Sequence, residues 1–207
     1  MQELISEYLR PNNFVDIALP NELKDKLRKM YESKVVMNML FYGKPGSGKT
    51  TVAKIFVDSD MYDTIQLNGS LETSVEDIRN KVQHFATSCS MFDAHKICFI
   101  DEADYLSKNA QAGLRNLIEA TSKNCRFIFT ANDITKIHPA LCSRLLPINF
   151  DLTTSQTTEA LNMYINRTIE KVKSQKENID EKRIKRIIEL HYPDFRTIAN
   201  HIEFELI

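Results

Sequence analysis

The chain has no tryptophan, only five glycines and only four cysteines. Cys89, Cys98, Cys125 and Cys142 form no C-x-x-C pair, and no pair of histidines completes a zinc pattern. Free thiols in a reducing compartment are the expectation. Neither sign of charge is in excess, since 27 basic and 28 acidic residues leave a formal net charge of −1. A nucleic-acid contact would therefore need a local patch, not the mean field. No apolar run approaches the roughly 20 residues of a membrane-spanning helix. The start, MQELISEYLR, lacks the apolar segment of a signal peptide. An intracellular protein away from membranes is expected. Against these absences stands a 43% hydrophobic content over 207 residues. That suits one large domain, or a large one followed by a small one.

Three of the five glycines fall within Gly43–Thr50, which reads GKPGSGKT. The stretch fits G-x-x-x-x-G-K-[ST], the phosphate-binding loop. It follows an apolar run, MNMLFY, suited to a buried parallel strand, and precedes TVAKIFV, which continues as a helix would. Gly43, Gly46 and Gly48 permit backbone angles that let N–H groups converge on an anion at a helix N-terminus. Lys49 would reach the β- and γ-phosphates and the Thr50 hydroxyl would bind Mg²⁺.

Along the chain, a helix is predicted over 21–32 with Asn21 as its cap. Strands are predicted at 35–42, 64–67, 96–100, 126–130 and 146–150. They alternate with helices at 48–58, from 75 onward (capped by Thr73 or Ser74), from Ser107 onward and at 139–144. This alternation argues for a parallel sheet covered on both faces. After Asp151 the pattern becomes helical and charged, with helices near 157–173, 180–191 and 195–204. Residues 1–150 are thus read as a nucleotide-binding domain and 151–207 as a small helical domain. Met91 and Phe92, two large apolar residues in the polar connection CSMFDAHK, suggest a docking knob.

The second nucleotide motif is KICFI followed by Asp101-Glu102. A carboxylate at the C-terminal end of such a strand lies beside the phosphate loop. Asp101 would help hold Mg²⁺, and Glu102, one position beyond, would polarise the attacking water. Asn132, ending the next strand in FTAN, has an amide able to position water or touch the γ-phosphate. Arg144 in HPALCSR could reach a neighbouring subunit's nucleotide. Arg196 in PDFR could fold back onto the γ-phosphate.

GKPGSGKT, ICFIDEAD, FTAN, CSR and PDFR, in this order and spacing, resemble an AAA+ ATPase. YLRPNNFVDIALP, LNGSLETSVEDIRNKVQHFATS and DEADYLSKNAQAGLRNLIE are similar to the ATPase subunits of sliding-clamp loaders of the replication-factor-C and phage type. The resemblance implies an AAA+ P-loop fold with a five-stranded parallel sheet and an all-α lid, and ATP with Mg²⁺ as cofactors. It implies ATP hydrolysis in a hetero-pentamer that opens a sliding clamp and places it on primer-template DNA. Ser6, Glu7, Tyr8, Leu9, Arg10, Pro11 and Ala18 would frame the adenine and ribose. Pro45, Gly46, Ser47, Gly48, Lys49, Thr50 and Thr51 would hold the phosphates. Asn132 would be the first sensor, Arg196 the second, and Arg144 the finger offered to the next subunit. Arg79 and Lys81 would track template phosphates, and Gln111 and Arg115 would couple DNA to the ATP site.

Three departures stand out. Leu145 follows Arg144 where the family usually has cysteine. Tyr8-Leu9-Arg10-Pro11 is one residue longer than the usual Tyr-Arg-Pro. Family members also carry a helical collar beyond the position of Ile207, so a truncated chain or an incomplete subunit is expected. The rivals are a helicase-loader or initiator-type AAA+ ATPase and a nucleotide-gated binding module with slow turnover alone. The string Asp101-Glu102-Ala103-Asp104 does not make a DEAD-box helicase, because the roughly 55 residues after the first domain cannot build a second motor domain.

Overall fold

A computed structural model of the chain describes residues 4–71, 75–88, 95–176 and 179–206; the side chains of Ser6 and Val75 lie outside that description. So do Cys89, Met91, Phe92 and the predicted caps Thr73 and Ser74.

Five strands form one parallel sheet: β1 (Met39–Tyr42), β2 (Tyr62–Asn68), β3 (His95–Asp101), β4 (Cys125–Ala131) and β5 (Leu146–Asn149). Their spatial order is β2-β3-β4-β1-β5. The intervening helices are α1 (Ile5–Tyr8), α2 (Asn21–Glu32), α3 (Lys49–Val57), α4 (Val75–Thr87), α5 (Lys108–Ala120) and α6 (Pro139–Cys142). Three more follow: α7 (Thr154–Gln175), α8 (Glu181–His191) and α9 (Phe195–Leu206).

Side chains alternate across each strand and so build two cores. Leu40, Cys98, Ile100, Phe127 and Phe129 face one side, with α4, α5 and α6. Met39, Phe41, Ile97, Phe99 and Ile128 face the other, with α2 and α3. Burial of each large apolar side chain contributes about 1.5–3 kcal/mol. Cys98 and Cys125 are buried free thiols. Burial raises the Cys98 thiol well above its usual range and pushes Cys125 up to about 11, so both stay protonated and unreactive.

A third core lies in the helical part, built from Tyr164, Ile165, Val172, Ile184, Ile188, Ile198 and Ile202. Leu9 and Ala18 join it, and Tyr8 and Leu9 are bonded to α7 through their carbonyls. The N-terminal segment therefore bridges the two parts, where the sequence places it wholly with the first.

Element ends differ from expectation in physically readable ways. β1 begins at Met39, since Val35 and Met37 are solvent-exposed. Asn21 is the first residue of α2 and Pro20 its cap. α7 starts earlier than expected because Thr153 and Gln156 form a reciprocal capping box. Lys96 is buried on β3 and donates to the Phe85 carbonyl at 2.7 Å, to the Ser88 hydroxyl at 2.7 Å and to the Ser88 carbonyl. A buried ammonium thus satisfies the C-terminal end of α4 and pins that helix to the sheet.

Candidate functional site

The phosphate loop leaves β1 and turns into α3 with Gly43, Gly46 and Gly48 at φ of 142°, 76° and 90°. At Gly46 there is a second constraint. A Cβ there would sit 2.1 Å from Asp194 Oδ1, so glycine is also required by the close approach of the segment preceding α9. The Phe195 N–H donates to the Gly46 carbonyl at 3.0 Å, which ties α9 to the loop. Asp151, just after β5, accepts from the Lys44 N–H at 2.9 Å and holds the loop's other end.

Lys49 is buried and arches back over the loop, donating to the Gly43 and Lys44 carbonyls at 2.8 Å each. Burial lowers its pKa, while Asp151, Asp104 and Asp101 act to keep it charged and Arg196 opposes them. A cation in such a place interacts strongly with any anion that reaches it. Ser47 is also buried, and its hydroxyl has no partner among the described residues.

Opposite the loop, β3 and β4 deliver a connected polar array. The Thr50 hydroxyl donates to Asp101 Oδ1 at 2.9 Å. The Thr130 hydroxyl donates to the same oxygen and accepts from the Glu102 N–H at 2.9 Å. Glu102 sits at φ 55°, ψ 44°, a left-handed conformation rare for a residue with a side chain. Its carbonyl lies where a Cβ on Gly69 would be, 2.6 Å away, and the Gly69 N–H donates to the Asp101 carbonyl at 2.8 Å. The end of β2 therefore supports this bend. Thr130 and Gly69 were missed in the sequence. The first is embedded in FTAN and the second in LNG, beside motifs that were read for other residues.

A cleft of about 650 Å³ joins these groups. The residues from Pro45 to Thr51, together with Asp101, Glu102 and Asn132, line it on the sheet side. Glu7, Leu9, Arg10, Pro11, Ala18 and Arg196 also line it. Tyr8 differs from expectation: its hydroxyl pairs with Ser174 at 2.8 Å and its ring lies under the Lys171 ammonium, so it is spent on α7. Arg144 is not among the lining residues; it ion-pairs with Glu119 and donates to the Ala140 carbonyl at 2.6 Å.

The DNA-coupling residues are divided. Arg79 and Lys81 are exposed on α4, and Arg115 is half-buried on α5. Gln111, expected as a coupling residue, is only 1% exposed and faces the interior. Its amide donates to the Leu106 and Lys136 carbonyls at 3.1 Å each and accepts from the His138 N–H at 2.6 Å. It fastens α5 to the segment running from β4 to α6, and helical spacing alone did not reveal that it faces inward.

The sheet order, the glycine loop and the carboxylates at the end of β3 define a P-loop nucleotide-binding fold. Residues 39–154 match the ATPase family associated with various cellular activities (AAA), and the chain belongs to that family. It is 32% identical over 210 residues to a replication factor C small subunit of Thermoplasma acidophilum, covering 98% of this chain and 64% of that protein. The replication factor C small subunit of Saccharolobus solfataricus is 32% identical over 207 residues, at 97% and 61% coverage. A probable replication factor C subunit 5 of Dictyostelium discoideum is 29% identical over 205 residues, at 95% and 57%. The chain thus spans 57–64% of the length of these relatives. In fold it is similar to the RuvB Holliday junction branch migration motor of Thermotoga maritima, with a TM-score of 0.72, 21% identity, and coverage of 95% of this chain and 64% of that one. No helix among the described residues is long and apolar enough to cross a membrane.

Proposed function

We propose that the chain binds ATP with Mg²⁺ in this cleft and hydrolyses it as one subunit of an intracellular clamp loader. That assembly would open a sliding clamp and place it on primer-template DNA. The observation that carries the reading is the array Thr50–Asp101–Thr130–Glu102 facing the phosphate loop. One hydroxyl and one carboxylate side by side suit Mg²⁺, which takes few protein oxygens and completes its shell with phosphates and water. Among the described residues no cluster of three or more His, Cys, Asp or Glu competes as a metal site. Bound there by Thr50 and Asp101, the ion would neutralise charge developing on the phosphates. Lys49 and the loop N–H groups bind and orient the triphosphate. Glu102 accepts the proton of the attacking water, Asn132 positions that water, and Arg196 answers to the γ-phosphate from α9. The names of the replication factor C relatives support the replication role.

Lys49→Ala should weaken MgATP binding by about 10²-fold or more, because it removes a buried charge from an ion pair. Titration calorimetry on parent and variant tests this, and equal affinity would remove the nucleotide reading. The slow nucleotide-gated module remains a second reading for the chain alone, because Arg144 does not line its own cleft. ATP turnover by the chain alone, compared with the assembled complex plus clamp and primed DNA, separates the two.

In the assembly, Arg79 and Lys81 are assigned to template phosphates, and Gln111 and Arg115 to coupling DNA occupancy to the ATP site. Phosphate contacts release counterions, so affinity should fall as salt rises, with a slope of about 0.9 per contact for duplex. An Arg79→Ala/Lys81→Ala double variant should bind primed DNA more weakly, with the slope reduced by about 2. Gln111→Ala should instead lower DNA-stimulated turnover more than affinity. Fluorescence anisotropy across a salt series decides, and an unchanged slope would remove α4 from the DNA path.

A further inference from the structure

Arg167, on α7, is a cation the sequence motifs do not include. Its side chain is only 13% exposed, yet it lines the nucleotide cleft. A guanidinium carries five N–H donors. Here Nη2 donates to the Leu9 carbonyl at 2.7 Å, and the guanidinium makes no other hydrogen bond among the described residues. Nε is buried and without a hydrogen-bond partner, 4.0 Å from Asp16 Oδ1. Asp16 is itself engaged by Asn13, accepting from its amide at 3.0 Å. Burial lowers the Arg167 pKa and Asp16 only partly offsets this. A buried charge this poorly satisfied costs stability unless something completes it.

The surroundings indicate what that is. Leu9, Ala18, Tyr164 and Ala199 belong to one apolar cluster and also line the cleft. They give that part of the cleft apolar walls, whereas Lys49, Asp101 and Glu102 supply charge elsewhere in it. A nucleoside triphosphate has the same division, an apolar-faced base at one end and anions at the other. Apolar walls with a few aimed polar groups are how small-molecule sites fix orientation.

We infer that Arg167 recognises the nucleoside end of the bound nucleotide, offering the Nη donors not spent on Leu9 to an acceptor on the base or sugar while Nη2 holds the Leu9 wall in place. This rests on the nucleotide reading of the cleft, and it assigns nucleoside selectivity to a lid residue. Because one donor is committed to the Leu9 backbone, the residue both positions the wall and touches the ligand.

The test compares MgATP with Mg-tripolyphosphate, which has the anions but no nucleoside. Calorimetry on the 207-residue chain should show Arg167→Gln weakening MgATP by about tenfold or more, the value of one hydrogen bond to a charged group. Tripolyphosphate affinity should be unchanged. Arg167→Lys, which keeps the charge without the fork, should fall between. In the parent, the Nε–H proton resonance of Arg167 should shift on adding MgATP and stay put with tripolyphosphate, a readout that needs no variant to fold. Equal MgATP affinity in Arg167→Gln, parallel loss of both ligands, or an unmoved resonance would each overturn the assignment. A parent that binds neither ligand would instead overturn the nucleotide reading, and this inference with it.

Discussion

Glu102→Gln is expected to leave MgATP affinity essentially unchanged and to slow hydrolysis by about 10²–10⁴-fold, the usual worth of a positioned general base. The variant isolates chemistry from structure for three reasons. Glutamine fills the same volume. The unusual backbone at this position is held by neighbours and not by the carboxylate: the Glu102 N–H is anchored on Thr130 and the preceding carbonyl on Gly69. The oxygen proposed to face the metal belongs to Asp101, whose bonds to Thr50 and Thr130 do not involve the Glu102 side chain. Only the ability to accept a proton is removed. Single-turnover hydrolysis beside calorimetric titration provides the check. Turnover at the parent rate with intact binding would move the base to another residue. Loss of binding would mean that Glu102 holds the metal.

The parts of this site that could be read from the chain are those that are contiguous in it. GKPGSGKT encodes a conformation in eight consecutive residues, and Asp101-Glu102 follows directly on the apolar run that buries β3. β1, β3 and β4 were legible for the same reason, since a strand buried on both faces writes itself as a short apolar run, whereas the edge strands β2 and β5 are only partly buried. What could not be read depends on contacts between distant residues. Leu9 meets Arg167 across 158 positions, and Asp194 presses on Gly46 across most of the chain. Neither pair has a local signature. Gln111 shows the limit of helical periodicity, because a polar residue on a buried face reads as exposed until its three backbone partners are known. Tyr8 shows the corresponding limit of resemblance. An inserted residue, Leu9, stands between it and Arg10, and the ring turns to Ser174 and Lys171.

Arg144→Ala is expected to lower turnover of an assembled complex by about 10³-fold or more, the typical worth of an arginine finger, while MgATP binding by each chain is retained. A role in cis is not expected, since Arg144 does not line the chain's own cleft. At the surface the guanidinium is held by Glu119, with 30% and 55% of the two side chains exposed. A solvent-screened pair of this kind contributes only about 0–1 kcal/mol, so a nucleotide phosphate on a neighbouring subunit can displace Glu119 at little cost. The Ala140 carbonyl bond keeps the arginine near the end of α6. Gln111 sets the position of that segment from inside, through His138. The isolated chain should therefore turn over at the same rate with or without Arg144. In mixed assemblies, an Arg144→Ala subunit should silence the site of one neighbour and a Lys49→Ala subunit its own. The two defects then map to opposite sides of one interface. Reduced turnover in the isolated Arg144→Ala chain, or undiminished turnover in the assembly, would show that Arg144 is a surface ion-pair residue and that the finger lies elsewhere.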